Sequence, residues 1–296
     1  MLDLSHAPGH TLADLLEAYT RDHLPQKAPQ TQYQERLFYR KVAQDLGDIP
    51  LDRLSPLILR AWRDRFRPYY KPNTIRRYMI SLSAVLTAGV EDYGWISTHP
   101  LRKVRKPAEP PGRDRCLTPD EQTRLLASCQ VSRNPHLHVI VVLALATGAR
   151  KNELLQRLWS EVDLVRGLLS IPLAKNGDRR AVPLVAHAVT LLEAHAVGRS
   201  SRWVFPRADG IKPVSITSAW RYACVRAGIE DLHVHDLRHS CATYLAMSGA
   251  SLAEIGEILG HRSLTQTQRY VHLLEPHTRG VLEKMAEKYL PGTLPG

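Results

Sequence analysis

Cysteine is scarce: Cys116, Cys129, Cys224 and Cys241 are the only four in 296 residues, and no two share Cys-x-x-Cys spacing. That excludes a small disulfide scaffold and a cysteine-ligated zinc module. Long apolar runs are also missing. The longest, Val139 to Ala146, has core-helix length and falls well short of the roughly 18 residues of a membrane span. Met1 to His10 shows no basic stretch leading into an apolar one, so no secretory signal is read there. No glycine-rich phosphate loop and no carboxylate cluster is visible. Hydrophobic residues at 44% and charged residues at 23% are ordinary globular usage, which excludes disorder throughout. The expectation is a soluble, reduced, cytoplasmic protein with no membrane partner.

Positive charge is what the chain has in excess. Lys and Arg total 40 against 29 Asp and Glu, for a net charge of +11 and a pI near 9.7. Thirty of the forty are Arg. A guanidinium forks onto phosphate through two parallel hydrogen bonds, so this excess suits a nucleic-acid backbone. An arginine-favouring genome would leave the same mark.

The clearest seam is Arg102 to Arg115, RKVRKPAEPPGRDR, with three prolines, a glycine and mostly charged residues. It divides the chain into a helical domain over 1–106, a linker over 107–116 and a second domain over 117–296. Up to residue 110 there are 17 basic and 12 acidic residues, and beyond it 23 and 17, so both parts are basic.

Apolar spacing of three to four predicts helices over Leu12–Tyr19, Tyr33–Leu46, Leu54–Phe66 and Ile75–Val90, with prolines 25, 50, 56 and 72 as punctuation. From Arg53 to Arg77 run eight basic residues and one acid. Arg60, Arg63, Arg65, Arg67, Lys71, Arg76 and Arg77 alternate there with Trp62, Phe66, Tyr69 and Tyr70. A basic stripe with interleaved aromatics suits DNA, and a solvated helix face over core aromatics would read the same way.

The second domain reads as mainly α with one small β interruption. Thr118-Pro119-Asp120-Glu121 and Ser251-Leu252-Ala253-Glu254 are helix starts of the capping-box kind, and Gly260 is placed to end the second helix. Leu168–Pro172 and Arg180–Leu184 flank Lys175-Asn176-Gly177-Asp178, a hairpin signal. Tyr222 and Tyr244 read as packing residues.

Four separated segments carry chemistry. In ATGARKNELLQ an apolar helix stops at Gly148 and Arg150 opens the next, which predicts a guanidinium held by backbone on both sides. In His233-Val234-His235-Asp236-Leu237-Arg238-His239, a helix starting near Asp236 puts His235 and Arg238 one turn apart. The crowding of His233, His235 and His239 could instead serve a metal, or one histidine could cap the helix. Gly260-His261 precedes Tyr270 by nine residues, and Lys175 sits at the hairpin turn. Together they compose a phosphoryl-transfer site. Two arginines clamp the phosphate, histidines move protons, a tyrosine attacks and a lysine protonates the leaving oxygen. Such a site needs no metal and no cofactor.

Arg150, Lys175, His235-x-x-Arg238, His261 and Tyr270, in that order, resemble the tyrosine recombinase (phage integrase) family. So do the stretches AKNGDRRAVPL and HDLRHSCATYLAMSGASLAEIGEILGHRSLTQTQRYVHL. The likeness is strong over about 116–275 and looser before it. It implies a two-domain clamp that cuts and rejoins DNA through a 3′-phosphotyrosine link. Arg150 and Arg238 would hold the phosphate, Lys175 would be the general acid, His235 would assist proton transfer and His261 would bond the phosphate. Glu153 and His239 match supporting positions. The resemblance also implies a homo-tetramer on double-stranded DNA sites, with accessory proteins in some systems and Glu275 to Tyr289 packing on a neighbouring copy. Ala149 stands where the family often has a larger apolar residue. The chain begins almost at its first helix, leaving little room for an arm-site domain. A helical DNA-binding regulator and a metal-dependent phosphodiesterase on the three histidines are the competing readings.

Overall fold

A computed structural model describes residues 9–109, 113–172, 179–261 and 263–290. The chain divides into two compact units, Met1–Gly112 and Arg113–Gly296.

In the first unit, α1 (Leu12–Asp22) starts from a Thr11–Asp14 capping box. It is followed by α2 (Pro29–Leu46), α3 (Pro56–Arg65) and α4 (Pro72–Glu91). Proline opens each of the last three. Its fixed φ suits the first turn and its missing N–H belongs to a position with no intrahelical acceptor. Pro56 and Pro72 are therefore first-turn residues, not punctuation, and α2 and α4 begin earlier than apolar spacing alone predicts. The core is built from Leu12, Leu16, Phe38, Val42, Trp62, Met79, Leu82 and Leu86.

The basic stripe does not survive as one face. Arg63 is buried, 8% exposed, bonded to Asp64 and to the carbonyl of Arg105. Its place is inside the unit, because the α3 turn that buries Trp62 also turns position 63 inward. Arg65 pairs with Asp45, Arg67 with Asp64, and Arg76 with Glu109 and the Pro107 carbonyl. Arg60, Lys71 and Arg77 are exposed. Of the interleaved aromatics, Trp62 and Phe66 are core, whereas Tyr69 is 79% exposed.

The second unit opens with α5 (Pro119–Gln130) on its Thr118–Glu121 capping box. Helix α6 (Leu137–Thr147) is apolar on nearly every side and packs against neighbours all round, as a central helix must. It ends at Gly148 in the left-handed region, φ +59°. A Cβ there would collide with Leu259, so the position requires glycine. The short α7 (Lys151–Leu155) follows. Next come β1 (Val162–Asp163), β2 (Leu168–Pro172) and β3 (Arg179–Pro183) in an antiparallel sheet of order β1-β2-β3. The β2–β3 register runs from Leu168↔Pro183 to Pro172↔Arg179. The hairpin turn with Lys175 lies outside the described residues.

The chain continues through α8 (Ala186–Ala196), α9 (Thr217–Arg226), α10 (Asp236–Met247) and α11 (Leu252–Leu259). Helix α11 has the Ser251–Glu254 box and ends at Gly260 in the left-handed region, φ +66°. A 3-10 turn, Gln268–Leu273, leads into α12 (Glu275–Tyr289). Tyr244 packs as expected and donates to the Leu117 carbonyl, but Tyr222 is 61% exposed on the outer face of α9. Among the described residues no helix is long and apolar enough to cross a membrane. The fold class is mainly α with one small antiparallel sheet.

Candidate active site

Arg150 is the residue on which α7 starts, and its guanidinium is held by a carboxylate rather than by backbone. Glu153 accepts from the Arg150 backbone N–H at 3.0 Å and from Nη1 at 2.8 Å. A side chain at the third helical position reaches back over the free N–H groups of the first turn, so the local helix start sets this pair. Burial acts to raise the Glu153 carboxyl. The Arg150 hydrogen bonds and the Arg180 and Arg150 charges outweigh it, and the group lies below its ordinary value.

Helix α10 and its N-cap bring together three of the side chains expected in the site. Arg238, 4% exposed, donates from Nη1 to the Gly148 carbonyl at 2.7 Å, while Nη2 is buried without a partner among the described residues. Burial, and then the nearby Arg150 charge, push its pKa down to about 10, which still leaves it charged at neutral pH. His235 and His239 meet edge to face, ring centroids 5.3 Å apart. Both are lowered, first by burial and then by neighbouring positive charge: Arg238 and Arg150 act on His235, and His235 and Arg269 on His239. Asp236, next to His235, is turned away from them. It accepts from the His233 backbone N–H at 2.8 Å and from Arg113 Nη2 at 2.9 Å. Leu117 is tied to the same helix, its N–H donating to Ser240 Oγ at 2.9 Å.

His261 follows the Gly260 turn and pairs its Nδ1 with Thr267 Oγ1 at 2.7 Å. Burial, then Arg238 and Arg150, push it down to about 4. Tyr270 sits in the 3-10 turn, 6% exposed, its phenolic oxygen 2.9 Å from His239 Nδ1. Burial raises its pKa, against the opposing charges of Arg269 and Arg238. Arg150, His235, Arg238, His239, His261, Gln266, Arg269 and Tyr270 together line one open cavity of about 330 Å³.

Most of the expected site residues thus converge, with Glu153 behind Arg150. Lys175 lies outside the described residues. Three residues escaped sequence reading. Arg269 is adjacent to Tyr270, which was itself a usable signal for a cation beside the expected nucleophile. Gln266 carried none. Arg180 lies two positions from buried Val182, so strand alternation places both on the inner face. Among the described residues no three His, Cys, Asp or Glu side chains are grouped to hold a metal.

Comparison with known proteins bears on the fold and the family. The Tn1549 transposon integrase, solved with a circular intermediate DNA, superposes with a TM-score of 0.76 at 18% identity, covering 88% of this chain and 95% of that one. A lambda integrase tetramer bound to a Holliday junction gives 0.74 at 20% identity, with 90% and 78% covered. The fold is therefore that of DNA integrases. A shufflon-specific DNA recombinase of Escherichia coli is 38% identical over 202 residues, 68% of this chain and 51% of its own length. The chain thus spans about half the length of that curated relative. Residues 115–277 match the phage integrase family, and the chain belongs to it.

Proposed function

We propose that the protein is a site-specific tyrosine recombinase that cuts and rejoins double-stranded DNA. One observation carries the reading: a buried phenol 2.9 Å from His239 Nδ1, in a cavity that also holds Arg150 and Arg238.

In the forward step the Tyr270 oxygen attacks a DNA phosphorus and the 5′-oxygen leaves. His239 accepts the phenolic proton, and Lys175 gives a proton to the leaving oxygen. The products are a 3′-phosphotyrosine and a free 5′-hydroxyl. A 5′-hydroxyl of the partner duplex then attacks that phosphotyrosine, and Tyr270 leaves with its proton restored. One phosphoester bond forms as one breaks in each step, so the scheme needs no ATP. Arg150 and Arg238 offset the charge that builds on the non-bridging oxygens, the work a metal does elsewhere, and Arg269 adds to the field. His235 lines the same cavity and assists proton movement. His261, kept neutral, is a hydrogen-bond partner for phosphate.

In this reading residues 1–106 bind the core DNA site and residues 117–296 carry the chemistry. The exposed Arg60, Lys71 and Arg77 are the first choice for phosphate contact, with Arg65 and Arg67 beside them. Arg63 is withdrawn from that set. The recombinase acts as a tetramer of identical chains on DNA, the state in which the lambda integrase structure was solved. Support within this chain comes from α12, which exposes Val281, Leu282, Met285 and Tyr289. An exposed apolar stripe of this kind suits a neighbouring copy.

The test is a covalent trap with nicked duplexes that tile the DNA flanking the protein's own gene. Protein-linked DNA that survives denaturation and vanishes in Tyr270→Phe is the expected result. Undiminished adduct in that variant would remove Tyr270 from the nucleophile's place.

A further inference from the structure

Arg180 is a buried cation that the chemistry above leaves without a task. Strand β3 carries it on its inner face opposite Ile171, and its side chain is 9% exposed. It does not line the cavity. On one side Nη2 donates to Glu153 Oε2 at 3.1 Å, the carboxylate that also holds the Arg150 N–H and guanidinium. On the other side it lies against Gly260, where an added Cβ would collide with the guanidinium. That glycine is the turn from which His261 projects. Two further donors, Nε and Nη1, are buried without a partner among the described residues.

Stability alone is a poor reason for such a residue. A buried ion pair adds little over an apolar side chain of the same volume, and unsatisfied buried donors cost more. The position makes sense if the cation is needed where it stands. We propose that Arg180 is a positioning residue that holds two walls of the phosphate cavity at once, Arg150 through Glu153 and His261 through the Gly260 turn. The proposal rests on the recombinase reading above. The contact adds to the left-handed φ in favouring glycine at 260, since a side chain there would displace the guanidinium. The charge of Arg180 adds to burial, Arg238, Arg150 and Arg269 in keeping the His261 ring neutral.

The experiment uses the full chain as wild type, Arg180→Met, Arg180→Lys and Tyr270→Phe. Single-turnover adduct formation on nicked DNA is measured beside DNA affinity, thermal unfolding and the NMR titration of the His261 ring. Arg180→Met is expected to slow cleavage roughly 100-fold, the scale of a misplaced reacting group. Its DNA affinity should stay within about threefold, which separates positioning from binding. Arg180→Lys keeps the charge but not the fork, and should recover part of the rate. The His261 titration should move upward in Arg180→Met and much less in Arg180→Lys.

A rate per folded molecule within about twofold of wild type in Arg180→Met would overturn the proposal. If that variant does not fold, a wild-type rate in Arg180→Lys would overturn it instead. If the wild type itself forms no Tyr270-linked DNA, the recombinase reading fails on its own. The His261 titration needs no DNA and then decides for Arg180, an unchanged value in Arg180→Met being the refuting result.

Discussion

His239 Nδ1 lies 2.9 Å from the phenolic oxygen of Tyr270. The two residues come from separate elements, one from the first turns of α10 and the other from the 3-10 turn beyond α11. Neutral imidazole accepts a proton from a phenol, and imidazolium does not. The histidine that the family pattern marks only as supporting is thus the one in hydrogen-bond contact with Tyr270.

Burial and the charges around it hold His239 below the ordinary histidine value of 6.5. A lowered value means the ring stays neutral as pH falls through that range and takes up its proton only further down. Adduct formation should therefore hold steady through pH 6.5 and decline only below it. His239→Gln should cost roughly 100-fold or more in single-turnover rate, the usual contribution of a positioned base, and remove that acid limb. A limb centred at or above 6.5 in the wild type would count against His239.

Arg238→Lys should slow cleavage by roughly 100- to 1000-fold, the cost of losing one preorganised donor at a transition state. An ammonium cannot both donate to the Gly148 carbonyl and keep a second nitrogen directed elsewhere, as the fork does. DNA binding should change far less. A parallel loss of binding and rate would make Arg238 an anchor for the substrate and not a stabiliser of the reacting phosphate.

The basic residues of α3 and α4 should separate into two groups. Arg63→Ala should lower the unfolding midpoint, removing bonds worth about 1–3 kcal/mol, and leave the salt dependence of DNA binding unchanged. Neutralising Arg60, Lys71 and Arg77 together should flatten the salt slope by about one unit for each phosphate that no longer meets a cation. An altered slope in Arg63→Ala would return that residue to the interface.

Charge placed on α12 should uncouple assembly from cleavage. Leu282→Glu with Met285→Glu should leave Tyr270-linked adducts on single sites and abolish higher-order complexes on paired sites, as followed by native gel and light scattering. Retention of those complexes would free α12 from any part in assembly.

Much of this was legible in the residues because the signals were local. Thr118 and Ser251 cap helices through side chains three positions away, and Gly148 and Gly260 end helices through their own φ. Arg238, His235 and His239 share one helix, so periodicity alone grouped them. What stayed hidden depends on long-range packing. Arg63 sits in a run of mostly exposed basic residues, and its bond to the Arg105 carbonyl 42 positions later cannot be read from spacing. Arg180 and Glu153 are separated by a strand pair, and no spacing rule joins them. Tyr222 has the neighbours of a core tyrosine, but the face of α9 that it occupies meets solvent.

Arg113 is the first residue of the second unit, and it grips Asp236, the residue after His235 and two before Arg238. Four residues on, Leu117 is fastened to Ser240 and Tyr244 of the same helix. The chain's way into this unit is therefore stitched to α10 before it reaches α5. The start of this unit and the helix that bears Arg238 are thus held by one shared set of bonds.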